Sequence, residues 1–140
     1  MLNGCSYWQA IWPFGEEKTA ENQTQEASVA EKTDALKVNP YLWQASLEKL
    51  SFMPLASSDG EGGVIVTDWK TFSNNEQFKV VVHIYSQKLQ ANSLKVDVYK
   101  RRLKNGAWVD DTVDNRLSEE TEKAILMQAR ELYHRDVMTR

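Results

Sequence analysis

The sequence predicts an α+β domain of two layers: a helix, a four-stranded antiparallel meander and a second helix, with both helices on one sheet face. Three observations predict it. Helix-start signals stand near both ends of residues 38–140. Between them, apolar and polar residues alternate with the period of two that marks half-buried strands. The dipeptide Asn105-Gly106, whose residues both tolerate positive φ, marks a tight hairpin. Helices placed before and after a meander, rather than between its strands, point to a sheet covered on one side only.

Each element has its own justification. Asn39-Pro40 opens the first helix: Asn is a good N-cap, and Pro at the first helical position gives up only an N–H that would lack a partner there. Trp43, Leu47 and Leu50 fall at i, i+4 and i+7 as its expected buried stripe, and Pro54 ends the run. Ser57 to Gly63 reads as a turn-rich loop. The first strand runs from Val64 to about Phe72, with β-branched and aromatic residues through Trp69; either Ile65 and Trp69 or Val64 and Val66 face inward. After a turn at Ser73–Glu76, the strand Phe78–Ser86 sets Phe78, Val80, Val82 and Ile84 against Lys79, Val81, His83 and Tyr85. The next sets Leu94, Val96 and Val98 against Lys95, Asp97, Tyr99 and Arg101, and a short fourth strand carries Ala107, Trp108 and Val109. Ser118 is the expected cap of the last helix, with Glu119, Glu120 and Glu122 near its positive end. Ile125, Ala129 and Leu132 form that helix's main stripe, with Leu126 and Tyr133 beside it.

Composition excludes several classes. With 41% hydrophobic and 26% charged residues, the 140-residue chain is not disordered overall. One cysteine excludes an internal disulfide, and one cysteine with two histidines argues against a protein-only zinc site. No run reaches the ~20 apolar residues of a membrane-spanning helix. A net charge of −3 argues against a nucleic-acid partner. That charge is unevenly placed. Residues 1–38 hold Glu16, Glu17, Glu21, Glu26, Glu31 and Asp34 against Lys18, Lys32 and Lys37, which accounts for the whole −3 and leaves the remainder neutral. Residues 16–37 carry no aromatic and almost no large aliphatic residue, so they read as a disordered acidic linker.

The N-terminus carries a distinct signal. Leu2-Asn3-Gly4-Cys5 resembles a bacterial lipobox, with leucine three positions and a small residue one position before the cysteine. The resemblance implies cleavage before Cys5, a diacylglyceryl thioether on its sulfur and usually an N-acyl chain. Four residues stand before Cys5, so the charged and apolar regions of a signal peptide would lie further upstream. Residues 6–15 follow, with Trp8, Ile11, Trp12 and Phe14 free of charge; such residues favour the membrane–water interface. Docking of these side chains on the domain is the competing reading.

The stretch NPYLWQASLEKLSFMPLASSDGEGGVIVTDW, continued through FKVVVHIY, LKVDVY and NGAWVD, resembles an uncharacterised lipoprotein family of alphaproteobacteria over residues 38–135. Its helix, loop and "GG-strand" opening is also similar in architecture to the BamC (NlpB) type of lipoprotein domain of outer-membrane assembly. The resemblance implies a periplasmic interaction module and no assigned activity.

Candidate chemistry is sparse. Asp68, His83 and Asp97 could meet on adjacent strands as acid and base, but alternating polar residues on a solvated face explain them more simply. Gly60-Glu61-Gly62-Gly63 precedes a strand, whereas a phosphate loop leads into a helix N-terminus. Asn22-Gln23-Thr24 matches a glycosylation sequon only by chance. Lys100-Arg101-Arg102 with Lys104 could touch anionic lipid headgroups or nucleic acid, and reads first as charge blunting a sheet edge. Trp69, Tyr85, Tyr99 and Trp108 form an aromatic partner surface if they share the open face; core packing of Trp69 and Trp108 is the alternative.

The expectation is therefore a non-catalytic, lipid-anchored lipoprotein on the periplasmic side of the outer membrane. Cys5 would hold the lipid, Trp8, Ile11, Trp12 and Phe14 would rest at the interface, and an envelope protein would be the partner. No cofactor or metal is expected. The alternative is a soluble domain binding or transforming a small molecule, with its site between helix and sheet or around His83.

Overall fold

A computed structural model describes residues 37–139. Cys5, Trp8, Ile11, Trp12, Phe14 and nearly all of the acidic linker lie outside the described residues. The elements are α1 (Pro40–Lys49), β1 (Leu55–Asp59), β2 (Val64–Thr67), β3 (Lys70–Ser73), β4 (Glu76–Ile84), a 3-10 turn at Ala91–Ser93, β5 (Leu94–Lys104), β6 (Ala107–Asp111) and α2 (Asn115–Thr139). This is the α+β class that the sequence predicts.

The sheet runs β1-β2-β4-β5-β6, with β3 also paired to β4, and every pairing is antiparallel. Six strands thus replace the expected four. Two corrections account for the difference. The loop expected from Ser57 is partly strand: Ser57 pairs with Val66 and Asp59 with Val64. β1 is an edge strand whose five residues are all exposed, so it has no inside face to impose alternation. The strand expected from Val64 to Phe72 is broken at Asp68–Trp69 into β2 and β3.

The core lies between the helices and one sheet face. Phe78, Val80, Val82 and Ile84 of β4 are buried there, with Leu94 and Val96 of β5 and Ile65 of β2. Burying each such side chain contributes about 1.5–3 kcal/mol. Leu117, Thr121, Ile125, Ala129 and Leu132 form the buried stripe of α2, at helical spacing. This contains the expected stripe and extends it toward the N-terminus. Leu126 packs at its margin, and Tyr133 meets Tyr41 edge to face at 5.5 Å.

The helix ends differ in detail from expectation. α2 begins at Asn115, so Ser118 stands inside its first turn and donates to the Asn115 carbonyl at 3.1 Å. Asp114 does the capping, accepting the Arg116 N–H at 3.0 Å. At α1, Asn39 caps as expected: its Oδ1 accepts the N–H groups of Tyr41 and Leu42, each at 2.9 Å. The fully buried residues of α1 are Leu42, Ala45 and Ser46, while Trp43 and Leu47 only flank the core; Leu50, just past the helix, is buried as expected. The two helices are antiparallel: Gln128 Nε2 donates to Glu48 Oε1 at 2.7 Å, and Tyr41 Oη donates to Asp136 Oδ2 at 3.2 Å.

Candidate functional site

With both helices on one face, the opposite face of the sheet is left uncovered by the described residues. Val64 and Val66 of β2, Lys79, Val81 and His83 of β4, and Lys95, Asp97, Tyr99 and Arg101 of β5 lie on it, none of them buried. The alternation of β4 and β5 puts them there as expected.

Trp69 reaches this face through a β-bulge. Val66 pairs with Val81 and Lys70 with Phe78, so four steps along the β2–β3 segment match three along β4. The extra residue reverses the side-chain alternation. Ile65 and Thr67 point into the core, Trp69 points out, and Phe72 points in again, 5.1 Å from Phe78. Three N–H groups displaced at the bulge find acceptors outside the ladder. Asp68 N–H donates to the Pro54 carbonyl at 2.8 Å, Trp69 N–H to Asp68 Oδ1 at 2.8 Å, and Val80 N–H to Thr67 Oγ1 at 2.9 Å.

Trp69 and Trp108 then hold one guanidinium between them. Arg101 lies 4.1 Å from the Trp69 ring centre and 5.3 Å from that of Trp108. Its Nε donates to Gln77 Oε1 at 2.8 Å, and Gln77 in turn donates to Thr71 Oγ1 at 2.9 Å. Lys79 Nζ stands 5.7 Å from the same Trp69 ring. Tyr99 pairs in register with Lys79 and is 48% exposed. Neither indole packs in the core. Tyr85 stacks on His83 at 6.1 Å, beyond the far end of β4. It stands six residues from Lys79, roughly 20 Å along the strand direction, so it forms a separate spot. A trough of about 730 Å³ crosses the face, walled in part by Val66, Trp69, Lys79, Val81 and Tyr99.

The other candidate chemistry does not assemble. Asp97 is paired with Lys95 at 3.1 Å rather than with His83, and their hydrogen bond and mutual attraction raise the Lys95 pKa. Asp68 belongs to the bulge. Gly60–Gly63 forms the β1–β2 hairpin, not a helix entry. Among the described residues, no His, Cys, Asp and Glu group is placed to hold a metal ion, and no helix is long and apolar enough to cross a membrane.

The basic run needs a correction too. Residues 100–102 of β5 lie inside the sheet, with β4 on one side and β6 on the other, and Lys104 pairs with β6 alone. Its members separate by parity. Lys100 is buried, 3.2 Å from Glu76 and 3.5 Å from Asp111, while Arg102 meets Asp111 at 2.9 Å. Arg101 alone turns to the open face. The alternation of the strands already sets Lys79 and Arg101 on this face, but the aromatic surface expected from the sequence counts neither them nor Gln77, because their contacts depend on where the bulge puts Trp69.

These features define a two-layer α+β module whose second sheet face, uncovered by the described residues, carries aromatic rings and cations. The chain belongs to the family described as a domain of unknown function (DUF3576), which matches residues 36–134. It is similar to an uncharacterized protein of Rickettsia prowazekii (strain Madrid E), RP420, with 40% identity over 98 residues. The match covers 69% of this chain and 59% of the relative, so it takes in about three fifths of that protein's length.

Proposed function

We propose that this chain is a non-catalytic protein-interaction module, tethered by lipid to the periplasmic side of the bacterial outer membrane, that docks an envelope protein on its open sheet face. The observation that carries the docking reading is the convergence of Trp69, Tyr99 and Trp108 around Arg101 on a face neither helix covers. Aromatic and arginine side chains are the groups that anchor protein interfaces. The tether rests on the lipobox-like Leu2-Asn3-Gly4-Cys5. Acyl chains on Cys5 would contribute about 0.8 kcal/mol per buried CH₂, and Trp8, Ile11, Trp12 and Phe14 would settle at the interface. Residues 16–37 could extend to about 70 Å. The resemblance of the sequence's opening to BamC-type domains would add a role in outer-membrane assembly to this reading.

A photo-crosslinking amino acid at Tyr99, in cells, tests the docking face, with Met127 on the outer side of α2 as control. A discrete adduct at Tyr99 and none at Met127 is expected; equal labelling would refute the face. Cys5→Ala with membrane fractionation tests the anchor, and an unchanged distribution would refute it.

A further inference from the structure

Two cations share one indole. Lys79 and Arg101 both lie against Trp69, at 5.7 and 4.1 Å, and neither is ion-paired among the described residues. Arg101 commits its Nε to Gln77 and lies against the Trp69 and Trp108 rings. Its terminal nitrogens donate to no described group. The guanidinium is therefore already ordered, with its two-pronged edge unused, which lowers the entropy cost of gripping a planar anion. We infer that Arg101 and Lys79 form a carboxylate-binding fork, and that the segment docked on this face is an extended acidic peptide. An Asp or Glu side chain would lie bidentate on Arg101, with Lys79 as the second cation and flanking residues on Trp69, Tyr99 and Trp108. The inference rests on the docking reading above and gives its partner a chemistry.

The surrounding charge favours a peptide over a nucleic acid. Of the trough's other cations, Lys95 is spent on Asp97 and Lys100 is buried against Glu76 and Asp111. Asp110 and Asp114 also line the trough. A continuous phosphate backbone would run against these carboxylates, whereas a peptide needs to offer only one acid at the fork. Asp110 pairs in register with Arg101 but makes no ion pair with it, so it opposes an incoming carboxylate.

The test uses the full chain and fluorescence anisotropy. The probes are a labelled short Thr-rich peptide with one central Glu, its Gln-for-Glu counterpart and a single-stranded DNA oligomer. The Glu peptide is expected to bind, more weakly as salt rises, and the Gln peptide about tenfold more weakly. Arg101→Gln should lose about tenfold for the Glu peptide, with Tm lowered by the lost ring contacts but the protein still folded at the temperature of the binding assay. Asp110→Asn should gain about two- to fivefold. If Arg101→Gln does not fold, Asp110→Asn and Lys79→Gln carry the test. Equal binding of the Glu and Gln peptides, no gain in Asp110→Asn, or preference for the oligonucleotide overturns the fork. An adduct at Tyr99 in cells without Glu-peptide binding would overturn the acidic chemistry and leave the docking face standing.

Discussion

The hydroxyl of Thr67 accepts the buried N–H of Val80 at 2.9 Å, where the bulge interrupts the backbone ladder. Thr67 is fully buried, so no water can take its place. The bond makes the bulge affordable, and the bulge turns Trp69 outward onto Arg101. A core residue on the helix side thus controls the composition of the opposite face.

Thr67→Val keeps the shape and removes the acceptor. The stranded Val80 N–H should cost about 1–3 kcal/mol. Thr67→Ser, which keeps the hydroxyl and loses one methyl, should cost about 0.5–1.5 kcal/mol. Urea unfolding measures both. The Trp69 indole N–H resonance should move in the Val variant and hold in the Ser variant. The reverse order of stability would show that the methyl, not the hydroxyl, matters here.

Gly63 has φ +72°, and a Cβ built there would lie 2.3 Å from the Ile84 carbonyl oxygen and 2.9 Å from Val38 Cγ1. Gly106 has φ +81° with nothing near it. Gly106→Ala therefore adds only left-handed strain, about 1–2 kcal/mol. Gly63→Ala adds the same strain and also forces β4 away from the hairpin, breaking the 2.8 Å bond from Ile84 N–H to the Gly63 carbonyl. Its midpoint in urea should fall clearly below that of Gly106→Ala. Equal losses would mean that the backbone approach at Gly63 relaxes freely.

Asn39 joins α1 to the β4–β5 connection as well as capping the helix, because its Nδ2 donates to the Gln87 carbonyl at 2.8 Å. Asn39→Ala removes the cap and this link together, and should cost about 2 kcal/mol. Asn39→Asp keeps an acceptor for Tyr41 and Leu42 but sets a carboxylate against the carbonyl, so it should fall between the alanine variant and the parent. Thermal melts of the three proteins give the order.

How legible these features were depends on how locally each is encoded. Phe78, Val80, Val82 and Ile84 announce the inner face of β4 because burial on one side leaves a period of two in the chain. Ile125, Ala129 and Leu132 do the same for α2 at helical spacing. β1 left no such trace, since Leu55 to Asp59 are all exposed and an edge strand has no side to keep apolar. The outward aim of Trp69 could not be read locally either. It depends on the register against β4, a relation between residues far apart in sequence. The outward aim of Arg101 was legible from its parity with Tyr99, but its contacts with Trp69 and Trp108 were not, since they depend on the bulge and on the β5–β6 register. The N-terminal residues Cys5, Trp8, Ile11, Trp12 and Phe14 carry their meaning in chemistry rather than packing, and they remain part of the proposal.

The inward-turning members of that run give the fold a pH dependence. Asp111 is held below the usual carboxylate range, first by the Thr112 N–H at 2.8 Å and then by the charges of Lys100 and Arg102, with burial acting against them. A depressed folded pKa means that the unfolded chain takes up the proton first. The stabilisation from Asp111 is then complete above the ordinary carboxylate pKa of about 3.9 and is lost as pH falls through the lower folded value. Asp111→Asn should lower Tm at neutral pH, and the gap to the parent should narrow as both are melted at successively lower pH below about 4. A constant gap across that range would assign the loss to the changed hydrogen bonding at Thr112 rather than to the charge.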